Sequence, residues 1–206
     1  MIDVFDDFFT EAEHDFILDY CVYSPYFYGE SDDCHLPPVG LVHNIWIADD
    51  DIPADKIPVE YRAYGSSAVD TILEPRKFYE LFVDRIAEKF TNCTEDKLTR
   101  IYVNCFSPND NPFFHRDVDE GFDATTFLYY PNLKWKPDDG GETQFAVDGS
   151  LYGVPPMPNR LVSFPSEMLH KATSFRDRYR FTVAIKYQFF DERDLCEEDM
   201  GDHEYE

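Results

Sequence analysis

From residue 98 onward the chain is a series of short apolar runs, "LTRIYVNCFS", "ATTFLYY", "GETQFAV", "NRLVSFP" and "RYRFTVAIKYQFF", separated by Gly, Pro, Asp and Asn. Each run is rich in β-branched and aromatic residues and bounded by turn chemistry, so each reads as a strand. At least five strands with no helix between them argue for an antiparallel sandwich or barrel.

The first half reads differently. Thr10 stands three residues before Glu13, the capping-box spacing, and Phe16, Ile17 and Tyr20 follow at helical intervals, giving a helix over about residues 11 to 22. Pro75 suits the first turn of a second helix, in which Phe78, Leu81, Phe82, Arg85 and Ile86 form one stripe up to Phe90. Residues 23 to 74, rich in Pro, Asp and Tyr, read as loops with one edge strand in "LVHNIWIA". Helices first and strands after give an α+β fold with N-terminal helices supporting a β core. We expect one domain over residues 1–190, with helices and loops in 1–97 and the strand core in 98–190. The tail 191–206, with nine acids and one Arg, reads as a mobile acidic end in which His203 would hold a cation only weakly.

Charge narrows the partners. The 42 acids against 18 Lys and Arg give −24, a field that repels phosphate backbones and anionic lipid, so neither nucleic acid nor membrane is expected, whereas a basic partner is favoured. The opening "MIDVFDDFF" shows no positive region and no long apolar run, and a cytoplasmic location is the expectation. Five cysteines without a CxxC pair read as ordinary thiols, and "NCT" at Asn92 has meaning only on a secretory route.

"NPFFHRDVDE" holds the first chemistry. His115 and Asp117, two apart on an extended segment, present an imidazole and a carboxylate to the same side. A third ligand is supplied by His170, which follows the apolar run and turn of "NRLVSFPSEMLH". Two His and one carboxylate on one face of a metal leave the other face open, the arrangement of non-haem Fe(II) oxygenases; the same set suits a zinc hydrolase. In "RDRYRFTVAIKYQ", Arg178, Arg180 and Thr182 share one strand face. An inward Arg on an apolar strand is expensive unless it meets an anion, and a guanidinium grips a carboxylate by two parallel hydrogen bonds, so a dicarboxylic acid would explain it.

Together "HRD", "FLYYPNLKW", "GGET", "RLVSFPSEMLH" and "RYRFTVAIKY" resemble, in order, the Fe(II)- and 2-oxoglutarate-dependent dioxygenases, and within them the prolyl 4-hydroxylase-like branch. The resemblance covers about residues 98 to 190 and implies a double-stranded β-helix, or jelly roll. It implies His115, Asp117 and His170 as iron ligands. Arg178 would grip the distal carboxylate of 2-oxoglutarate, with Thr182 assisting and Tyr130 donating a hydrogen bond. Arg180 fits an alternative R-x-T spacing to Thr182, and strand register decides between Tyr129 and Tyr130. Ala184 stands where oxygen-sensing prolyl hydroxylases carry a bulky aromatic, and Phe106 replaces a Tyr.

The activity so implied consumes 2-oxoglutarate and O2, with ascorbate as reductant, releases succinate and CO2, and hydroxylates an aliphatic C–H. The presence of Asp117 favours hydroxylation over halogenation. A prolyl residue in a peptide or protein, basic or Pro-rich, is the expected substrate, with Tyr26, Tyr28, Trp46 and Tyr64 of a loop lid able to stack on it. A free amino acid or other small molecule is the alternative substrate, and a non-catalytic, metal-binding cupin-like module the alternative class. The oligomeric state stays open.

Overall fold

Period-two alternation in the long strands decides the architecture of this computed structural model, which describes residues 1–28, 36–47 and 74–189. Strands β1 (Asp3–Phe5), β2 (Leu41–Ile47), β3 (Leu98–Phe106), β4 (Ala124–Tyr130), β7 (Arg160–Pro165) and β9 (Arg180–Gln188) form a six-stranded antiparallel sheet in the order β1-β7-β4-β9-β3-β2. A second, three-stranded sheet has the order β6-β5-β8, from β5 (Thr143–Val147), β6 (Ser150–Val154) and β8 (His170–Ala172). This is the expected α+β jelly roll, with β2 on the sheet edge as its position in the sequence suggested. The short strands β1, β6 and β8 are additions that the sequence reading did not anticipate. Three residues in β1 and β8, and five in β6, give too little periodicity to mark a strand.

Side-chain parity divides the large sheet between two cores. Odd positions on its central strands, Ile101 and Val103, Phe127 and Tyr129, Val183, Ile185 and Tyr187, are buried with helices α1 (Glu11–Tyr23) and α2 (Pro75–Lys89). Even positions Tyr102, Leu128, Tyr130 and Ala184 face the other way and pack with Phe145 and Phe164. The chemistry sits on that second face.

Helix α1 begins where its capping box dictates. Thr10 Oγ1 accepts from Glu13 N–H, and the Glu13 carboxylate accepts from Thr10 N–H at 2.7 Å. Its buried face is His14, Ile17, Tyr20 and Cys21, and the His14 ring nitrogen meets the Tyr129 hydroxyl at 2.6 Å, tying the helix to β4. Helix α2 starts at Pro75 and buries Phe78, Phe82, Val83 and Ile86. Complete burial of each Phe contributes roughly 2–3 kcal/mol, so the helices are firm supports for the sheet. Arg85 joins them through Glu13 at 3.0 Å.

Cys21, Cys93 and Cys105 are buried free thiols, consistent with reduced cysteines; Cys34 and Cys196 lie outside the described residues. Among the described residues no helix is long and apolar enough to cross a membrane. The acidic tail, His203 and Tyr64 likewise lie outside the described residues, as does most of the proposed lid. Of its aromatics within them, Tyr26 packs against the helix-side core, Tyr28 is exposed, and Trp46 rests on Tyr79.

Candidate metal centre and cosubstrate pocket

Parity and register place each functional side chain. His115 and His170 form an isolated antiparallel bridge, His115 N–H donating to the His170 carbonyl at 2.9 Å and His170 N–H returning the bond at 3.0 Å. The bridge holds the two rings with centroids 4.4 Å apart. His170 Nδ1 lies 2.8 Å from the Met168 carbonyl and His115 Nδ1 3.2 Å from the Phe113 carbonyl. Each Nδ1 therefore carries the proton, and each Nε2 is left as a lone-pair donor.

Asp117 completes the triangle. Its Oδ1 is 3.6 Å from His115 Nε2 and its Oδ2 is 3.8 Å from His170 Nε2, and one donor atom from each of the three residues lies within 4.8 Å of the others. Asp117 is held from three sides: its backbone N–H donates to the Ser166 carbonyl at 2.9 Å, Thr126 Oγ1 donates to Oδ2 at 2.6 Å, and Lys186 Nζ sits 2.8 Å from Oδ1. Thr126 and Lys186 are cross-strand partners on β4 and β9, so register delivers both to the same carboxylate.

The electrostatics suit a cation. Burial pushes the Asp117 carboxyl up, but Lys186, His115 and His170 outweigh it and hold it well below the usual carboxylate range. Burial pushes His170 down to about 4 against the opposing pull of Asp117. The site thus offers one anion and a neutral imidazole at neutral pH, a donor set for a divalent first-row metal with positions left for substrate and oxygen.

Behind the triad lies a pocket that ends on Arg180. Phe106 pairs with Arg180 and Asn104 with Thr182 across β3 and β9, which lines the pocket with alternate residues of both strands. Arg180 is 1% exposed. Its Nε donates to the Gly141 carbonyl at 2.7 Å and its Nη2 to Thr143 Oγ1 at 3.0 Å, while Nη1 is buried with no hydrogen-bond partner among the described residues. Burial draws the guanidinium down to about 10, with Tyr130 and Glu142 pushing back. A buried cation with an open donor is the feature a carboxylate would satisfy, and the residues present therefore fit 2-oxoglutarate.

This geometry places the residues of three expectations. Arg178 does not enter the pocket: β9 begins two residues later, and the guanidinium is committed to Asp139 at 2.8 Å and the Lys134 carbonyl at 2.9 Å, above the Phe175 ring. Of the two candidate anchors, Arg180 and not Arg178 lines the pocket. Tyr130 lies on the pocket side, its hydroxyl donating to Thr143 Oγ1 at 2.7 Å, whereas Tyr129 turns to His14 and Asn159 in the helix-side core. Tyr130 therefore supports Arg180 through Thr143. Thr182 lines the pocket.

The sequence reading missed Thr126, Thr143, Ser166 and Lys186. All four lay in quoted runs without being singled out: Thr126 in "ATTFLYY", Ser166 in "RLVSFPSEMLH", Lys186 in "RYRFTVAIKY" and Thr143 in the "GGET" turn. That turn is shaped by Gly141, at φ +85, where a Cβ would stand 2.4 Å from the Phe175 ring. Without a side chain there, the Gly141 carbonyl reaches Arg180.

A wider depression of about 580 Å³, lined by β1 and α2 residues such as Phe5 and Lys89, contains none of these groups. Among the described residues, the triad and Arg180 lie in the jelly-roll interior.

Comparison with known proteins agrees with this geometry. Residues 101–187 match the family model described as the 2OG-Fe(II) oxygenase superfamily. No curated protein sequence matches. Among solved structures, a Pseudomonas putida prolyl-4-hydroxylase is similar with a TM-score of 0.63 at 16% identity, covering 92% of this chain and 93% of that one. A Trichoplax adhaerens prolyl hydroxylase in complex with a hypoxia inducible factor oxygen degradation domain peptide fragment gives 0.65 at 17% identity, covering 97% and 87%. The non-heme alpha ketoglutarate dependent epimerase SnoN from nogalamycin biosynthesis gives 0.58 at 12%, covering 91% and 76%. These likenesses establish the fold. The matched segment 101–187 contains His115, Asp117, His170 and Arg180, so the part of the chain that carries the candidate site is similar to the 2OG-Fe(II) oxygenase superfamily.

Proposed function

We propose that the chain hydroxylates an aliphatic C–H, a prolyl residue in a peptide, with His115, Asp117 and His170 holding Fe(II) and Arg180 anchoring 2-oxoglutarate. The carrying observation is the buried Arg180, with its open Nη1, lining the same pocket as the two imidazoles and the carboxylate. A metal site alone would suit a zinc hydrolase, which has no use for an inward guanidinium.

Bound iron with 2-oxoglutarate and O2 supplies the oxidising chemistry, with release of succinate and CO2. The chain's own residues do the rest. Thr143 and the Gly141 carbonyl fix the Arg180 fork, so the cosubstrate carboxylate meets it in one orientation. Thr126 and Lys186 aim the Asp117 carboxylate, and the Met168 and Phe113 carbonyls set the imidazole tautomers. Phe106, Leu128 and Tyr102 wall the pocket with apolar surface, which excludes water from the reacting face.

The prolyl substrate is favoured by the jelly-roll likeness to two prolyl hydroxylases, one of them bound to a peptide. The epimerase with the same fold shows why the substrate needs its own test. Purified chain supplied with Fe(II), ascorbate and 2-oxoglutarate should form succinate, and proline-containing peptides should stimulate it and gain one oxygen by mass. Stimulation by free amino acids instead would move the substrate to small molecules. Metal binding without succinate would replace the enzyme by a binding module.

A further inference from the structure

The triad holds one anion, and its charge is already shared. Asp117 Oδ1, the oxygen that lies 3.6 Å from His115 Nε2, has Lys186 Nζ at 2.8 Å. Oδ2, on the His170 side, has Thr126 Oγ1 at 2.6 Å. The two donors differ in kind: the hydroxyl brings a dipole, whereas the ammonium brings a full positive charge. With 3% of the Asp117 side chain exposed and 19% of that of Lys186, little solvent is at hand to screen it.

Lys186 is fixed by the sheet. It is the cross-strand partner of Thr126 on β4 and of Arg100 on β3, and its Nζ lies 5.3 Å from the centre of the Tyr102 ring. Towards a divalent cation it does two opposing things. It steadies the carboxylate, which strengthens the site, and it sets a charge of the same sign beside a ligand oxygen, which weakens it. The first effect is duplicated: Thr126 holds Oδ2, the Asp117 N–H is tied to the Ser166 carbonyl, and the antiparallel bridge fixes His115 to His170. The second belongs to Lys186 itself. Repulsion between like charges at short range outweighs one of several redundant hydrogen bonds, so charge decides the sign.

We infer that Lys186 is a positioning residue that acts through Asp117 with opposite effects on the two cofactors: it weakens the triad's hold on a divalent metal ion and strengthens the hold on the dianionic cosubstrate. The inference rests on the proposed reading of the site as one for Fe(II) and 2-oxoglutarate. One fixed charge acts with opposite sign on a dication and a dianion, and the pocket that would hold the dianion is lined by Asp117, the partner of Lys186. Arg180 differs. It lines the pocket from six residues away, with Nε on Gly141 and Nη2 on Thr143, so it answers the anion without touching a metal ligand. The two cations of β9 therefore have separable effects.

The test uses the full chain, Mn(II) and 2-oxoglutarate, with binding read by calorimetry and free Mn(II) by its paramagnetic resonance. For Mn(II) alone, Lys186→Met should bind about tenfold tighter than the wild type, and Lys186→Arg, which keeps the charge, within about threefold of it. On chain saturated with Mn(II), Lys186→Met should bind 2-oxoglutarate about threefold or more weaker. Arg180→Met should lose 2-oxoglutarate binding and leave the affinity for Mn(II) within about threefold. Opposite signs on the two ligands are the signature of charge, since damaged packing would weaken both. Lys186→Met also leaves a buried carboxylate without its cation, so its melting temperature should fall in chelator and rise further with Mn(II) than the wild type's. Should that variant not fold, Lys186→Gln, with a neutral donor for Oδ1, carries the same expectation. Mn(II) affinity equal to or below the wild type's in the neutral variants overturns the inference, as does 2-oxoglutarate affinity unchanged or raised. Those results leave the proposed function standing so long as the wild type binds 2-oxoglutarate. A wild type that binds Mn(II) but no 2-oxoglutarate sinks the cosubstrate reading and this inference with it.

Discussion

Arg180 and Arg178 are two residues apart and chemically identical, so exchanging each for Met separates a cosubstrate anchor from a surface cation. In the pocket, Arg180 holds its fork with Nε on Gly141 and Nη2 on Thr143, leaving Nη1 open. A 2-oxoglutarate carboxylate would gain two charge-assisted hydrogen bonds there, worth about 3–4 kcal/mol in sum, or two to three decades in affinity. Arg180→Met should therefore raise the KM for 2-oxoglutarate by about 10²–10³-fold, measured by succinate formation at saturating Fe(II), and abolish the thermal shift that 2-oxoglutarate confers on the Mn(II)-loaded chain. The variant should still fold, because removing a buried cation also removes its desolvation cost, the same cost that draws Arg180 down to about 10. Arg178→Met loses its pair with Asp139, which lies outside the pocket, and should leave the KM within about twofold. The reasoning fails if Arg178→Met raises that KM by decades while Arg180→Met leaves it unchanged.

Thr126→Val removes the hydroxyl that donates to Asp117 at 2.6 Å, and should weaken Mn(II) affinity about 10- to 100-fold by titration calorimetry with little change in fold. Gly141→Ala combines φ +85 with a Cβ 2.4 Å from the Phe175 ring, and should cost about 2–3 kcal/mol by urea unfolding while loosening 2-oxoglutarate binding through Arg180. His43 is buried beside Tyr20, and burial holds it down to about 4 from an ordinary 6.5. Below pH 6.5 the unfolded chain takes up a proton at this residue that the folded chain refuses until about pH 4, so stability falls as pH drops through that window, by up to about 3 kcal/mol. His43→Gln should flatten this part of the denaturation-midpoint profile, and an unchanged slope would refute the assignment.

The triad was legible because it asks little of the fold. His115 and Asp117 need only an extended segment to share a side, and His170 needs only to follow a strand that returns beside it. The helices were legible from the Thr10–Glu13 box and from Pro75. The choice between Arg178 and Arg180 was not, because both have the same parity. It depends on where β9 begins, and Asn132 sets that: its Nδ2 donates to the Phe181 carbonyl at 3.1 Å and its Oδ1 accepts from Phe181 N–H at 3.2 Å. This clamp spans 49 residues, and no local pattern announces it.

The same argument explains Thr126 and Lys186. Neither is marked by its neighbours; each acquires a role when register sets it opposite the other with Asp117 between. Even positions of β3 and β9 share one face, where Arg100 pairs with Lys186 across the sheet and Phe106 pairs with Arg180 at the other end. Register therefore decides that Lys186 meets the Asp117 carboxylate while Arg180, six residues earlier, meets Gly141 and Thr143.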